Sequence, residues 1–251
     1  MARILILGCS LSMGSYGSEP PELVRGPDDM DKLMSDIGWY HHIPQLVGHQ
    51  LHVYGVGGGG YMDWAQIVLE LHEQAQMQRF KQVIIAETTY DRFALWRPDH
   101  AWHMDFSSLH GIEVVHYRSS PAERCLMTSN PRQMQVILQQ RGLDITDQQL
   151  DWLLQLRENT TARRVHDMAM MTIQMICARL SIPIVVFSFF EAQLAVAPGI
   201  TRLADQLYEN LLLADRRNLT ALDDPNYMPH QTIQGNRAIG QLLSSVWPGS
   251  V

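Results

Sequence analysis

The sequence predicts an α/β protein of the three-layer α/β/α type, with a mostly parallel, doubly wound sheet of flavodoxin-like order. Short runs of branched apolar residues that end in glycine or polar turns are typical of buried parallel strands. Segments with apolar residues at three- and four-residue spacing separate these runs and are typical of amphipathic helices. Strands that alternate with helices in this way form a parallel sheet with helices on both faces.

The first half of the chain contains three predicted strands with helices between them. The apolar runs that predict strands lie at 3–7, 51–54 and 83–86. Helical spacing of apolar residues predicts helices over 40–48 and 62–79. A glycine-rich segment, Gly55 to Gly60, separates the second strand from the second helix.

The second half begins with a stretch that has no clear pattern. Residues 95–145 have mixed composition, four histidines and no sustained period, which predicts an irregular insertion. A strand is predicted over 183–190, with helices over 161–180, 199–213 and 232–247. No Gly/Ser-rich linker or internal repeat divides the chain, so residues 1–251 are predicted to form a single domain.

Composition limits the partners that the protein is expected to have. The formal net charge is -7 and no run of Lys or Arg is present, which argues against nucleic acid. The apolar run near the N-terminus, residues 4–7, is too short for a signal peptide or a membrane span, so we expect a cytoplasmic protein without a membrane partner. Cys9, Cys125 and Cys177 are widely spaced, which favours reduced thiols and gives no metal site.

Ser10 directly follows the first predicted strand, in the sequence Gly8-Cys9-Ser10. A serine at the rim of a sheet, beside the amides of the next turn, offers a nucleophile and an oxyanion donor together. Its hydroxyl needs a base at neutral pH. His230 lies in a polar loop ahead of the last predicted helix, and a doubly wound chain can return this loop to the same rim. We therefore predict Ser10 as the nucleophile and His230 as its base.

Three segments of the chain resemble the sequence blocks of the SGNH (GDSL-type) hydrolase family. Residues 8–12 (Gly-Cys-Ser-Leu-Ser) are similar to the first block, whose first serine is the nucleophile. Residues 54–59 are similar to the second block, in which a glycine donates a backbone N–H to the oxyanion. Residues 230–238 are similar to the last block, where a histidine precedes a Gly-Asn or Gly-His pair. The blocks occur in the family's order and span nearly the whole chain.

The resemblance implies an esterase that hydrolyses small O-acyl groups, among them acetyl esters of carbohydrates, without a cofactor or a metal ion. It implies an oxyanion hole made by the backbone amides of Ser10 and of Gly58 or Gly59. The third block of the family, Gly-x-Asn-Asp, is replaced by Ala-Glu-Thr-Thr at 86–89. We expect the hydroxyl of Thr89, or of Thr88, to replace the missing asparagine as a donor to the oxyanion.

The acid that orients the histidine also departs from the family. It normally lies three residues before the histidine, where this chain has Tyr227. Asp224, or its neighbour Asp223, reaches the imidazole if the intervening loop bulges. We predict Asp224 for this role, which fixes the tautomer of the base.

Two other functions remain open from the sequence. Residues 55–60 satisfy the G-x-G-x-x-G pattern between a strand and a helix, and Glu87 ends the next strand, as in a nucleotide-binding Rossmann-like protein. The missing asparagine and the displaced acid also fit an SGNH-like protein that binds a ligand or serves a structural role without catalysis. The histidines at 100, 103, 110 and 116 lack a Cys or Glu set that would complete a zinc site.

Overall fold

The computed structural model describes residues 1–9, 38–56, 60–87, 93–96, 102–119, 124–127, 139, 146–155, 159–189, 199–204, 207 and 233–248. The strands in these ranges are β1 (Arg3–Cys9), β2 (Gln50–Val56), β3 (Phe80–Glu87), β4 (Phe93–Trp96), β5 (Trp102–Leu109), β6 (Ile112–Ser119), β7 (Arg124–Met127), β8 (Ile184–Ser188) and β9 (Ile200–Ala204). The helices are α1 (Tyr61–Glu73), α2 (Asp147–Gln155), α3 (Asn159–Arg179) and α4 (Ile233–Val246). Short 3₁₀ turns occupy Trp39–His42, Pro44–Leu46 and Met77–Arg79.

Seven strands form the main sheet, in the order β5-β6-β2-β1-β3-β8-β9. Six strands that are adjacent in the sheet are parallel to one another: β6, β2, β1, β3, β8 and β9. β5 pairs antiparallel with β6 at one edge. β4 and β7 form a separate antiparallel pair. The predicted α/β class with a mostly parallel sheet is confirmed.

The sheet is covered on both faces because successive side chains of a strand point to opposite sides. On β1, Leu5 and Leu7 belong to one hydrophobic cluster, which also contains the inner faces of α1 and α3. Ile4 and Ile6 belong to a second cluster, together with α4 and the turns at 39–46. All four β1 side chains are fully buried, as expected for a central parallel strand.

The prediction of an irregular insertion over 95–145 is wrong for the part of it that the structure describes. This part contains β5, β6 and β7, and the hairpin of β5 and β6 extends the main sheet. The strand pattern is hard to recognise because β6 is buried on both faces at Val114, Val115 and His116 and therefore does not alternate. The outer strand, β5, exposes Met104 and Phe106.

Two helix predictions are also corrected. Residues 200–204, at the start of the helix predicted over 199–213, form β9 and pair with β8, and residues 208–213 lie outside the described ranges. Gly199 has a positive φ of 86°, which redirects the chain into the strand. The helix predicted over 40–48 is two 3₁₀ turns, because Pro44 begins the second turn and has no N–H for a helical hydrogen bond.

The last helix, α4, packs closely on the 3₁₀ turn at 39–42. Gly240 makes this approach possible, because a methyl group there would overlap with the carbonyl oxygen of Trp39 and with Cβ of His42. The start and end of α4 agree with the predicted 232–247 within one residue. None of the described helices combines the length and the apolar character that a bilayer crossing requires.

Candidate functional site

The carboxyl ends of three neighbouring strands meet at one edge of the sheet. β1 lies between β2 and β3 and is parallel to both. Its last residue, Cys9, is in register with Val56 at the end of β2, and Glu87 ends β3 on the other side. In open parallel sheets, ligands bind outside the carboxyl ends of the strands. This edge, which we call the carboxyl edge, is the candidate site.

The residues predicted for catalysis lie outside the described ranges. They are Ser10, Gly58, Gly59, Thr88, Thr89, Asp223, Asp224 and His230. Their roles therefore stay predictions. The described residues that border them, among them Cys9, Gly60 and Glu87, define the geometry of the edge.

The first turn of α1 is tied to the end of β1. Asp63 is fully buried and its Oδ2 accepts a hydrogen bond of 2.8 Å from the backbone N–H of Gly60, the residue before the helix. A carboxylate three residues into a helix stabilises its amino end in this way. The indole Nε1 of Trp64 donates to the carbonyl oxygen of Gly8 at 3.1 Å. The helix that follows the glycine-rich segment is therefore attached to the strand that precedes Ser10.

A buried ion pair lies at the end of β3. Nη1 of Arg202, on β9, is 2.9 Å from Oε2 of Glu87, and their side chains are 12% and 0% exposed. The hydroxyl of Tyr61 also hydrogen bonds to the Glu87 carboxylate. Burial, followed by the negative charge of Glu87, raises the pKa of Tyr61 well above its usual value, so the phenol is the donor in this bond.

Neither family models nor curated proteins give a match to this sequence. The chemistry of the site is therefore inferred from the groups at the carboxyl edge. Among the described residues these groups are the carboxylate of Glu87, the guanidinium of Arg202 and the phenol of Tyr61. Such groups can hold a backbone in place and donate hydrogen bonds to a developing negative charge.

His166 packs against this cluster from α3. Its ring lies perpendicular to the ring of Tyr61, with centroids 3.9 Å apart, and its side chain is 2% exposed. Nδ1 is 2.9 Å from a carboxylate oxygen of Asp167. The ring therefore supports Tyr61 from the side of α3, and the carboxylate of Asp167 orients the imidazole.

The histidines of the corrected region do not form a metal site within the described residues. His116 is buried and its Nε2 lies 3.1 Å from the hydroxyl of Tyr40, and His110 occupies the turn of the β5–β6 hairpin. No group of three potential ligands from His, Cys, Asp and Glu occurs in the part of the chain that is described. His100 and the side chain of His103 lie outside that part.

Sequence reasoning missed Tyr61, Asp63 and Arg202 as residues that shape this edge. The spacing of Asp63 three residues after Gly60 is a recognisable helix-start signal. Tyr61 and Arg202 carry no such signal, because their contacts join residues that are 26 and 115 positions from Glu87 in the chain. Glu87 was assigned to a nucleotide ribose in one alternative, whereas the structure pairs it with Arg202.

Proposed function

We propose that this chain is a serine ester hydrolase of the SGNH type, with Ser10 as the nucleophile and His230 as the base. The observation that carries the proposal is the position of β1 between β2 and β3. Three segments begin at strand ends on the carboxyl edge. The segment after β1 contains Ser10, the segment after β2 contains Gly58 and Gly59, and the segment after β3 contains Thr89. A nucleophile and several oxyanion donors can therefore converge there.

The strand order supports the finer, flavodoxin-like description of the fold. Five adjacent strands have the order β2-β1-β3-β8-β9. If these five are renumbered 1 to 5 along the chain, the order is 2-1-3-4-5, which is that of a flavodoxin-like doubly wound sheet. The direction of winding reverses between β1 and β3 in such a sheet, and ligands bind at that point. Ser10 follows β1, one of the two strands that border it.

The direction of α4 supports His230 as the base. Nε2 of Gln45 donates to the carbonyl oxygen of Ser244 at 3.1 Å, and Gln45 lies in the turns that lead into β2. The carboxyl end of α4 is therefore near the amino edge of the sheet, and its amino end is directed toward the carboxyl edge. His230 precedes the first residue of α4, Ile233, by three positions.

The proposed reaction begins when Oγ of Ser10 attacks the acyl carbonyl carbon while His230 accepts the hydroxyl proton. Backbone amides of Ser10 and of Gly58 or Gly59, with the hydroxyl of Thr89, stabilise the oxyanion. The imidazolium then gives its proton to the leaving alcohol. A water molecule, deprotonated by the same imidazole, then attacks the acyl-enzyme. The bond between Ser10 Oγ and the acyl carbon breaks, the imidazolium returns its proton to Oγ, and the carboxylic acid is released. Asp224 orients the base, and the substrates are small O-acyl groups such as carbohydrate acetyl esters.

The nucleotide-binding alternative is less compatible with the geometry at Glu87. That reading needs the carboxylate to accept hydrogen bonds from a ribose. Glu87 is fully buried, and its carboxylate is engaged by Arg202 and Tyr61. The non-catalytic alternative shares the fold with the hydrolase and differs from it only in reactivity.

Labelling with a fluorophosphonate probe tests the proposal. We expect the wild-type protein to be modified at Ser10 and Ser10→Ala to remain unlabelled. His230→Ala should slow the labelling by about 100-fold or more, because the general base is lost. Asp224→Asn should slow it less. Ser12→Ala, which changes the next serine in the chain, is the matched control and should react like wild type.

The same experiment decides between the hydrolase and its alternatives. A non-catalytic binding protein predicts no labelling above that of Ser10→Ala. Equal labelling of wild type, Ser10→Ala and His230→Ala would show that the probe reacts elsewhere, and the hydrolase assignment would be withdrawn. Release of acetate from an acetylated sugar, measured with the same variants, then tests the substrate class.

A further inference from the structure

Glu87 occupies a fully buried position of the sheet, where an apolar side chain is usual. It is fully buried at the end of β3 and is paired with Arg202 on β9. These strands are already joined, because β8 lies between them and pairs with both. Buried ion pairs lose much of their attraction to the cost of desolvation, and apolar replacements are often equally stable. Stability alone is therefore a weak reason for this pair.

A second contact of Glu87 reaches the start of α1, the helix that follows β2 in the chain. The hydroxyl of Tyr61 hydrogen bonds to the Glu87 carboxylate, and Tyr61 is the first residue of the helix that follows the glycine-rich segment. One turn further along the helix, Trp64 bonds to the carbonyl oxygen of Gly8. The Glu87 carboxylate thus joins the end of β3 to the start of α1, and Trp64 joins α1 to the end of β1.

We propose that Tyr61, Glu87 and Arg202 are positioning residues, which hold the start of α1 against the ends of β1 and β3. The inference rests on the proposed function, because its consequence is the alignment of the segments that contain Ser10 and the glycines 57–59. Oxyanion donors act only when they are preorganised at short hydrogen-bond distance, so small displacements of these segments reduce the rate.

The pair acts through geometry because its two charges compensate each other. If its effect were electrostatic, neutralising the carboxylate in Glu87→Gln would leave the positive charge of Arg202 near the developing oxyanion. Labelling of Ser10 would then become faster. The positioning role predicts slower labelling in the same variant, so the sign of the change separates the two explanations.

Tyr61→Phe tests the link to α1 with little change in packing. We expect labelling of Ser10 by the fluorophosphonate to slow about tenfold, since a single hydrogen bond in the supporting structure is lost. The phenyl ring keeps its contact with His166, so the melting temperature should change little. Tyr54→Phe is the matched control: Tyr54 is also a buried tyrosine, but its hydroxyl interacts with Tyr117, away from Glu87. It should label at the wild-type rate.

A double apolar replacement separates positioning from stability. Glu87→Met combined with Arg202→Leu removes both charges together and leaves neither one unpaired. We expect this variant to melt close to wild type, because buried ion pairs and apolar pairs are often of similar stability. Its labelling rate should stay at least about tenfold below wild type. Wild-type labelling by the double variant would overturn the inference.

A measurement without any reaction keeps the inference separate from the proposed function. The indole N–H of Trp64 reports the bond between α1 and Gly8, and its hydrogen exchange is followed by NMR. We expect this exchange to accelerate in Tyr61→Phe and to stay unchanged in Tyr54→Phe. If exchange accelerates in Tyr61→Phe but the wild-type protein is never labelled, the hydrolase is rejected and the positioning role is retained. Normal labelling with unchanged exchange would retain the hydrolase and reject the positioning role.

Discussion

His52 illustrates how burial controls the protonation of single residues in this protein. Its Nδ1 is 2.9 Å from the hydroxyl of Tyr117, and its Nε2 is 3.2 Å from Oε1 of Gln50. Burial, and then the positive charge of Arg3, lower the pKa of His52 to about 4. In the unfolded chain the same imidazole has its usual pKa near 6.5. The folded state therefore binds fewer protons than the unfolded state between these two values.

This difference predicts an acid-dependent loss of stability. The contribution of neutral His52 is present above pH 6.5 and is lost as the pH falls toward 4. His52→Phe removes the titrating group and keeps an aromatic ring, so its stability should fall less between pH 7 and pH 4.5. Urea unfolding of wild type and variant at both values measures the effect. Tyr117→Phe is the control, since it removes the hydrogen bond and keeps the imidazole. Parallel pH dependence of wild type and His52→Phe would contradict the assignment.

Two residues show which features of the site could be predicted from the sequence and which could not. Ser10 was singled out because a serine after a buried strand has a recognisable local environment. Trp64 was predicted as part of an amphipathic helix, and its burial confirms this. Its bond to Gly8 could not be predicted, because the hydrogen-bond partner of an indole depends on which strand end lies beside it in space.

At the scale of elements, the β5–β6 hairpin is the feature that the sequence concealed most. Its turn consists of His110 and Gly111, which have positive φ values of 51° and 76°. A two-residue turn of this kind matches the twist of the strands and makes Leu109 and Ile112 a hydrogen-bonded pair. Since hydrogen-bonded and non-hydrogen-bonded pairs alternate, the N–H groups of Met104, Phe106 and Ser108 point away from β6.

Within the part of the chain that the structure describes, the outer edge of β5 is therefore open to another strand. β5 has eight residues, contains neither Lys nor Pro and pairs with β6 without a bulge. Asp105 is its one acidic residue, so the strand has little of the usual protection of an edge strand. Phe106 is 75% exposed and Met104 is 55% exposed. Within the described residues, no strand pairs with this edge.

We expect Phe106→Lys to reduce aggregation of the protein on heating or concentration. A charge on an edge strand opposes edge-to-edge pairing, and the folded state loses little because the side chain is exposed. Light scattering against temperature measures the onset. Met175→Lys is the matched control, because it also replaces an exposed apolar residue by lysine, but on α3. Equal protection by both variants would mean that net charge, not the β5 edge, controls aggregation.

The described residues form two hydrophobic cores on opposite faces of one sheet. Cys177 on α3 belongs to the core that contains α1, and Cys9 belongs to the opposite core with α4. Both thiols are buried and free. Burial raises the pKa of Cys177 to about 12, which leaves almost no thiolate at neutral pH. The two cysteines are therefore reporters for opposite faces of the sheet.

If residues 1–251 form a single cooperative domain, both thiols should become reactive in the same transition. In a Cys125→Ser background, we expect alkylation of Cys9 and Cys177 at pH 8 to follow one urea midpoint, the same as that of circular dichroism. Mass spectrometry of the modified peptides measures each site separately. Distinct midpoints for the two cysteines would show that the faces unfold independently and would contradict the single-domain prediction.

The class of the fold and the positions of its central strands followed from local patterns, whereas the strand ends differ from the predicted ones by up to three residues. Buried parallel strands require continuous apolar runs and amphipathic helices require spaced apolar residues, so β1, β2, β3, β8, α1, α3 and α4 were recognisable. The strand β9 was mistaken for a helix, since five residues at a sheet edge show too short a pattern to identify a period.

Contacts between distant segments required the folded chain. The pairing of Glu87 with Arg202, 115 residues apart, has no local pattern, and it exists because β8 brings β9 to within reach of β3. The same holds for the attachment of α1 to Gly8 and for the addition of β5 and β6 to the sheet. Residue types and their spacing specify which local structures are stable, whereas the partner of a buried charge or indole depends on the three-dimensional arrangement of the strands.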